Sequence, residues 1–275
     1  MMDYLNCKSY AKLNSCLHVI NKRNDGYHNI ESIFYTIDLY DKLTFKKNNL
    51  QKIYFNSNSD HINTKTNLVV DAFDIMFREY SDVTGLDVYL DKVIPIGSGL
   101  GGGSSNAAVT LMSINKMFDL SLPDNVLKDY ALQIGSDVPF FIEGGSACVQ
   151  GRGEIIQKIQ HEKKYFIIIL SDLSISTREI FEELDPDCFL PKCSHSDLIT
   201  SQFNSLEEVV LSKYPELMAT KYWLSTFGSV RMSGTGSTLY IEFNNHESAL
   251  KANKEISQKY KSIVVSSLES YENFS

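Results

Sequence analysis

A glycine-rich run near residue 100 constrains the fold of this chain more than any other feature. It begins at Pro95 and reads PIGSGLGGGSSNAA through Ala108, with five glycines among the seven residues 97–103. Glycine permits backbone conformations that other residues rarely adopt, and it lets main-chain N–H groups approach a ligand. We expect Ser104 or Ser105 to cap a helix that follows, so that the positive end of the helix faces the loop. The run therefore predicts an anion site made of backbone, suited to a diphosphate or a triphosphate.

The alternatives to a phosphate loop are a plain connection into a helix and a dinucleotide-binding fold. A plain connection needs fewer glycines than the run contains. Gly97, Gly99 and Gly102 do spell G-x-G-x-x-G, but that pattern normally opens the first βαβ unit, and here Pro95 interrupts the strand before it. A Walker A loop is excluded because no Gly-Lys-Ser/Thr follows the run. These comparisons favour a phosphate-binding loop that is neither a dinucleotide-binding pattern nor a Walker A loop.

The length and composition are those of an ordinary globular protein. With 275 residues, 43% of them apolar and 22% charged, the chain can bury the cores of two modest domains. It contains no apolar run near the ~20 residues that cross a bilayer, and residues 1–12 lack the apolar centre of a signal peptide. The five scattered cysteines favour a reducing cytoplasm over disulfides or a zinc site. The net charge of −8 argues against a nucleic-acid partner.

Alternating and helical patterns predict an α+β fold. The expected strands are 11–19, 33–39, 86–90, 146–150, 165–170, 238–243 and 263–266. The expected helices follow Asn67 and the glycine run, cover 124–134, lie between about 177 and 227, and cover 247–260. Strands and helices without regular βαβ repetition indicate α+β rather than a doubly wound sheet. We place the boundary between two domains at residue 155, which gives domains 1–155 and 156–275.

The glycine run resembles the ATP loop of the GHMP kinases, a superfamily that includes galactokinase and the homoserine, mevalonate and phosphomevalonate kinases. Its extra glycines resemble those in the loop of the branch that acts on 4-diphosphocytidyl-2-C-methyl-D-erythritol. The resemblance implies a two-domain GHMP kinase fold, with an N-terminal ribosomal-protein-S5-like ATP domain, a C-terminal ferredoxin-like domain and a substrate groove between them. Asn106 stands where many members have Asp, and we expect little consequence because both residues accept hydrogen bonds.

The resemblance also implies a set of ATP-binding residues. They are Pro95, Ile96, Gly97, Ser98, Gly99, Leu100, Gly101, Gly102, Gly103, Ser104, Ser105, Asn67 and Lys92. The last two match positions that the family uses around the adenine. A helix cap and a surface lysine are equal alternatives for them.

Two further segments carry the residues that the resemblance implies in catalysis. Residues 11–14, Ala-Lys-Leu-Asn, resemble the family's first motif, in which Lys12 would stabilise charge on the transferred phosphoryl group. Residues 135–141, Gly-Ser-Asp-Val-Pro-Phe-Phe, resemble a second motif, in which Asp137 would accept the proton of the acceptor alcohol as general base. Taken singly, an exposed strand lysine and a turn-capping aspartate are the simpler interpretations.

Substrate recognition is implied by residues 25–28, 176–181 and 232–238. The first segment, Asp-Gly-Tyr-His, resembles a branch signature in which an aromatic ring stacks on cytosine and a histidine reads the edge of the base. The second segment supplies Phe181 as the opposing aromatic residue, for which a position on the buried face of a helix is an alternative. The third segment resembles the family's C-terminal glycine motif. The residues implied in substrate binding are Asn14, Tyr27, His28, Phe181, Gly234, Thr235 and Gly236.

The resemblance implies ATP-dependent phosphorylation of this cytidine diphosphate-linked alcohol in the non-mevalonate isoprenoid route. ATP and Mg²⁺ would be required, and no nucleic acid, membrane or obligate protein partner is expected. No acidic cluster indicates a dedicated metal site, so Ser104 and Ser105 are the candidates to contact Mg²⁺. Arg152, between two glycines, is equally a structural residue or a phosphate contact.

Two other functions stay open from the sequence. One is another GHMP kinase, such as a mevalonate or homoserine kinase. The other is a non-catalytic binding protein on the same scaffold, against which the retention of Lys12 and Asp137 argues.

Overall fold

The computed structural model describes residues 2–62, 66–270 and 273–274, which form two β-sheets flanked by helices. The strands are β1 (Tyr4–Lys22), β2 (His28–Lys47), β3 (Ile53–Ser57), β4 (Leu86–Asp91), β5 (Ser146–Gly151), β6 (Ile155–Lys158), β7 (Tyr165–Ile169), β8 (Val230–Met232), β9 (Leu239–Phe243) and β10 (Ser262–Ser266). The α-helices are α1 (Leu68–Glu79), α2 (Gly102–Met117), α3 (Asp124–Ile134), α4 (Phe140–Glu143), α5 (Thr177–Glu183), α6 (His195–Thr200), α7 (Glu207–Lys213), α8 (Pro215–Leu224) and α9 (His246–Ile256). The predicted α+β class is confirmed.

The first sheet is organised around the long hairpin of β1 and β2. These strands pair antiparallel over almost their whole length, from Tyr4 opposite Lys46 to Lys22 opposite His28. The other edge of β2 pairs with β4 near one end and with β5 near the other, while β3 and β6 form the outer strands. Gly26, with φ of +87°, closes the hairpin in a backbone region that favours glycine. The hairpin therefore carries the segment 25–28 at its tip.

One face of the first sheet is covered by α1 to α4. Alternate residues of the strands, such as Phe45 and Val88, point into this layer and meet the apolar stripes of the helices. Helix α2 lies at the centre, where Ala107, Ala108 and Leu111 are fully buried. Small side chains on this helix let it lie close to β1, and this packing brings the start of α2 beside the middle of that strand.

The second sheet has the ferredoxin-like order β10-β7-β9-β8, with all neighbours antiparallel. Helices α5 to α8 lie between β7 and β8 in sequence, and α9 joins β9 to β10. The strand β6 still pairs with β5 of the first sheet. The chain therefore passes from one sheet to the other between Lys158 and Tyr165.

The two sheets pack against each other through a shared apolar core. Leu13 and Ile33 from the first sheet meet Phe166 and Tyr240 from the second. Polar contacts join the same layers, because the hydroxyl of Tyr240 donates to the carbonyl oxygen of Asn14 at 2.8 Å. The middle of β1 is thus held by residues more than two hundred positions later in the chain.

The observed elements extend the expected ones in several places. Strand β1 begins at Tyr4 and ends at Lys22, well beyond the alternating segment 11–19. Its first residues alternate between exposed and buried positions, a period-two pattern that the sequence prediction missed. The short strands β3, β6 and β8 were not expected. Helix α9 ends at Ile256, four residues earlier than expected. Among the described residues, no helix has the length and apolar character needed to cross a membrane.

Candidate active site

A cavity of about 1030 Å³ is lined by residues from both parts of the chain, and most of the predicted site residues face it. They are Lys12, Asn14, Tyr27, His28, Asn67, Lys92, Pro95, Ile96, Gly97, Ser98, Gly99, Gly101, Gly102, Gly103, Ser104, Asp137, Phe181, Gly234 and Thr235. Three predicted residues lie behind its surface. Leu100 packs in the core between the sheets, and the hydroxyl of the buried Ser105 accepts a hydrogen bond from Ser9 at 2.7 Å. A Cβ at Gly236 would point toward the sulfur of Met232, 2.8 Å away.

The glycine loop is fastened to both sheets through its backbone. The N–H of Lys12 in β1 donates to the carbonyl of Leu100 at 3.0 Å. From the other side, the N–H of Thr238 donates to the carbonyl of Ser98 at 3.1 Å. Between these two contacts, Gly99 has φ of +75°, and a Cβ there would lie 2.1 Å from the carbonyl oxygen of Ser233. Only glycine allows the loop and the C-terminal glycine turn to approach this closely.

Helix α2 presents an open N-terminus to the cavity. The N-cap is Gly101 in the left-handed conformation, with φ of +68° and no side-chain hydrogen bond. The expected cap by Ser104 or Ser105 is wrong, because both serines lie inside the first helical turn. The N–H groups of this turn are consequently left for an anion, and the positive end of a 16-residue helix favours one.

Lys12 and Asp137 form an ion pair at the cavity wall. The Lys12 Nζ lies 3.4 Å from the Asp137 Oδ2, with side chains that are 4% and 33% exposed. The ammonium group also donates to the Asn14 Oδ1 and lies 4.7 Å above the ring of Phe34. Burial lowers the pKa of Lys12, and the carboxylate of Asp137 opposes this shift. The interpretation of Lys12 as an exposed strand lysine is wrong.

Packing and hydrogen bonds fix both members of this pair. The Asn14 Nδ2 donates to the Ser32 hydroxyl at 3.0 Å, which orients its oxygen toward Lys12. Asp137 lies in the short connection between α3 and α4. The two aromatic residues that follow, Phe140 and Phe141, are fully buried and anchor this connection in the core. The carboxylate therefore sits on a fixed piece of backbone while it remains accessible from the cavity.

Aromatic rings gather at the tip of the β1–β2 hairpin. The ring of His28 stacks on Phe181 with centroids 5.1 Å apart and an interplanar angle of 29°. Tyr27 is 48% exposed, and the guanidinium of Arg152 lies 4.2 Å from the centre of its ring. The Asp25 Oδ1 accepts from the Tyr27 N–H at 3.1 Å and fixes the turn. The cavity thus has an aromatic end well suited to a flat ring.

Asn67 and Lys92 lie at the other end of the cavity. The side-chain oxygen of Asn67 caps α1 by accepting from the N–H of Val69 at 2.8 Å. The alternative of Lys92 as a surface lysine is wrong, since its side chain is 8% exposed and its Nζ donates to the Asp41 Oδ2 at 2.6 Å. Burial lowers the pKa of Lys92, and Asp41 opposes the shift.

Asn106 has a role that differs from the expected one. Its Nδ2 donates to the Asp41 Oδ2 at 3.0 Å and to the Ser9 hydroxyl at 2.9 Å. The side chain therefore acts as a donor to a carboxylate rather than as an acceptor. An ionised Asp at this position would face Asp41 directly, so the exchange of Asn for Asp is not neutral here.

Sequence reasoning missed several residues that line the cavity. Ser136 belongs to the same string as Asp137. Thr177, Arg178 and Glu182 share helix α5 with Phe181 at positions −4, −3 and +1. Helical spacing from Phe181 would have found the first two of these, because residues three and four apart lie on one face. The hydroxyl of Thr177 lies 3.1 Å from that of Thr235 and ties α5 to the glycine turn.

Comparisons with known proteins identify the family. The model of the GHMP kinases N terminal domain matches residues 67–145, and the GHMP kinases C terminal model matches residues 194–262. A 4-diphosphocytidyl-2-C-methyl-D-erythritol kinase from Syntrophomonas wolfei is 37% identical over 93% of this chain and 95% of the relative. The chain belongs to the GHMP kinase family. A second relative of the same name, from Clostridioides difficile, is 36% identical over 96% of the chain and 95% of its own length.

Solved structures share the fold of this GHMP kinase. A crystal structure of 4-(cytidine 5'-diphospho)-2C-methyl-D-erythritol kinase superposes with a TM-score of 0.81 at 24% identity, covering 96% of this chain and 99% of that one. A homoserine kinase from Cytophaga hutchinsonii superposes with a TM-score of 0.72 at 14% identity, covering 100% and 98%. At these identities the likeness establishes the two-domain GHMP kinase fold, which confirms the predicted architecture.

Proposed function

We propose that this kinase transfers the γ-phosphoryl group of ATP to a hydroxyl of 4-diphosphocytidyl-2-C-methyl-D-erythritol, in the non-mevalonate isoprenoid route. The observation that carries the proposal is the Lys12–Asp137 pair, at 3.4 Å, in a cavity that has a glycine loop at one end and aromatic rings at the other. Relatives that bear the name of this kinase match nearly the whole chain. The product would be the 2-phosphate of the substrate.

Asp137 would act as the general base of the transfer. Its carboxylate is the accessible member of the ion pair, and it lies on a rigid connection, so an acceptor hydroxyl in the cavity can reach it. Lys12 would stabilise the charge that develops on the transferred phosphoryl group, for which a buried ammonium is effective because little water screens it. Positioning and charge stabilisation supply most of the catalysis in such transfers.

The aromatic end of the cavity would hold the cytosine. Tyr27 offers the exposed face of its ring for stacking, while His28 can donate and accept hydrogen bonds at the edge of the base. Phe181 stacks on the ring of His28 and also lines the cavity, where it would be the second aromatic surface for the base. The substrate would thus lie in the groove between an N-terminal domain and a C-terminal domain, divided between Lys158 and Tyr165, a few residues after the boundary predicted at 155.

ATP would bind with its phosphates on the backbone of residues 97–104, against the open N-terminus of α2. The donor set fits a magnesium ion that is carried by ATP: among residues 2–62, 66–270 and 273–274, no group of three or more His, Cys, Asp and Glu could hold a metal, and Mg²⁺ usually keeps phosphate and water ligands. Ser104, which faces the cavity, is the side chain that would contact it. When bound, the ion offsets phosphate charge.

For the location and partners, we propose the cytoplasm and a small-molecule substrate alone. The scattered cysteines and the net charge of −8 support these two statements.

The test measures ADP release with ATP, Mg²⁺ and each of three acceptors: 4-diphosphocytidyl-2-C-methyl-D-erythritol, mevalonate and homoserine. We expect turnover with the cytidine compound alone, since neither of the others carries a base for the aromatic end. Turnover with mevalonate or homoserine would keep the family and refute the cytosine pocket. Binding of ATP without turnover of any acceptor would instead support a non-catalytic protein.

A further inference from the structure

Asp41, in the middle of β2, accepts four hydrogen bonds although its side chain is fully buried. Its Oδ1 accepts from the N–H groups of Val93 at 2.7 Å and Ile94 at 2.8 Å. Its Oδ2 accepts from the Lys92 Nζ at 2.6 Å and from the Asn106 Nδ2 at 3.0 Å. The carboxylate therefore joins β2, the segment before the glycine loop, and helix α2.

The two oxygens of Asp41 have separate tasks. The Oδ1 holds backbone and fixes the path of the chain after β4. The Oδ2 holds the Lys92 ammonium, which lies beside the first residue of α2, and the amide of Asn106, which belongs to α2. A substitution that keeps a carbonyl oxygen in place of Oδ1 but replaces Oδ2 can thus separate folding from function.

The position of the Lys92 ammonium needs an explanation. A Cβ at Gly102 would lie 2.8 Å from the Lys92 Nζ, so this cation rests against the first residue of α2. The N-terminus of a helix carries a partial positive charge and repels cations. Burial adds a desolvation cost for the charged form. A buried anion is required to keep a cation there, and Asp41 is the carboxylate that contacts it.

We propose that Asp41 is a positioning residue for ATP, which holds the Lys92 ammonium beside the glycine loop so that a polyphosphate meets a preformed cation. The inference rests on the proposed ATP site but not on the identity of the acceptor. Before ATP binds, Asp41 offsets the charge of Lys92. After ATP binds, Lys92 faces anionic oxygens on the cavity side while Asp41 keeps it in place from behind.

Asp41→Asn tests this arrangement. The amide oxygen can keep both backbone hydrogen bonds, whereas the amide NH₂ meets the Lys92 ammonium and cannot accept from it. We expect the Kd for ATP, measured by titration calorimetry without acceptor, to rise by about tenfold or more, as the loss of an outer partner of a binding group commonly does. A Kd that is unchanged or lower overturns the proposal.

Asp38→Asn is the matched control, because Asp38 lies three residues earlier in β2. Its carboxylate accepts hydrogen bonds from the N–H and the hydroxyl of Ser266 in the second sheet. Neither of these bonds involves the glycine loop or Lys92. This control should leave the Kd for ATP within about twofold of the original, since it removes charge from the same strand without touching Lys92. An equal rise in both variants would mean that any damage to β2 weakens ATP binding, and the positioning role would be refuted.

Lys92→Met separates positioning from a merely structural role. If Asp41 acts through Lys92, adding Asp41→Asn to Lys92→Met weakens ATP binding no further, while the double variant regains thermal stability because no lone buried charge remains. Additive losses of affinity would contradict the proposal.

Lys92→Gln serves if Asp41→Asn fails to fold, since its amide can still donate to Asp41. We then expect the same rise in the Kd for ATP, and an unchanged Kd overturns the proposal. A chain that binds ATP but turns over no acceptor would refute the proposed kinase reaction and leave the role of Asp41 in ATP binding standing. A chain that binds no ATP would refute both.

Discussion

Gly99→Ala is the substitution that most directly tests the contact between the glycine loop and the second sheet. The added Cβ would lie 2.1 Å from the Ser233 carbonyl oxygen, whereas ordinary carbon–oxygen contacts are about 3.3 Å. The loop and the turn must therefore move apart by about 1 Å. The backbone at φ of +75° adds a cost of about 1–2 kcal/mol for any residue with a Cβ.

The expected effect is larger on catalysis than on stability. A shift of about 1 Å in the groups that hold reactants can cost about 100-fold in rate. We expect kcat/KM, measured by coupled ADP release, to fall by about that factor, while thermal melting shows a chain that is folded and weakened by about 1–2 kcal/mol.

Gly103→Ala is the control for stability. Gly103 lies inside α2 without a positive φ, and a Cβ there would meet only Leu68 Cδ1 at 3.6 Å. Its melting temperature should stay level or rise, because Ala favours a helix over Gly by about 1 kcal/mol. Activity of Gly99→Ala within threefold of the original would refute the reasoning, since it would show that the loop can move without displacing the phosphates.

Three further outcomes follow from the site. Asp137→Asn should lower kcat by about 100- to 10,000-fold with little change in the Kd for ATP, as loss of a general base does; a loss of only a few-fold would exclude this role. Tyr27→Ala should raise the KM for the cytidine substrate about 5- to 100-fold at nearly constant kcat, since stacking holds ground and transition states alike; a matching fall in kcat would contradict it. Because burial lowers the pKa of Lys12 and its proposed charge-stabilising role requires the protonated form, kcat should fall as pH rises, below the usual titration range of lysine. In Lys12→Arg, which stays charged, any remaining activity should lose this alkaline decline, and a decline at the same pH would assign it to another group.

Local motifs made much of the site predictable. The glycine run indicates a phosphate loop by itself. The segments 11–14 and 135–141 were linked to a cation and a carboxylate through their resemblance to GHMP kinase motifs, because each residue taken singly has a simpler interpretation. The fold class followed from period-two and helical patterns in the long elements. Strands β6 and β8 could not be predicted, because four and three residues show no reliable period, whereas β3 was missed although β7, β9 and β10 have the same length of five residues and were predicted.

Several features of the site could not be predicted because they depend on contacts between residues that are distant in the sequence or on the backbone conformation. Asp41 lies 51 residues before Lys92 and 65 before Asn106, and nothing local distinguishes it from other polar residues on a strand. The serine cap failed because Gly101, in the left-handed conformation, starts α2 earlier than the serines. The stacking of His28 on Phe181 joins a hairpin tip to a helix of the other sheet, and only the packing of the two sheets sets that distance.

The hydrogen bond from Tyr240 to the carbonyl of Asn14 has a consequence for how the protein is made. Lys12 and Asp137 both precede residue 240 by more than a hundred positions, so the strand that carries Lys12 lacks this contact until the chain is nearly complete. We expect a chain that is truncated before Tyr240 to be inactive, although it contains both side chains that are proposed to be catalytic. The proposed site would thus be complete only after the second sheet has been made.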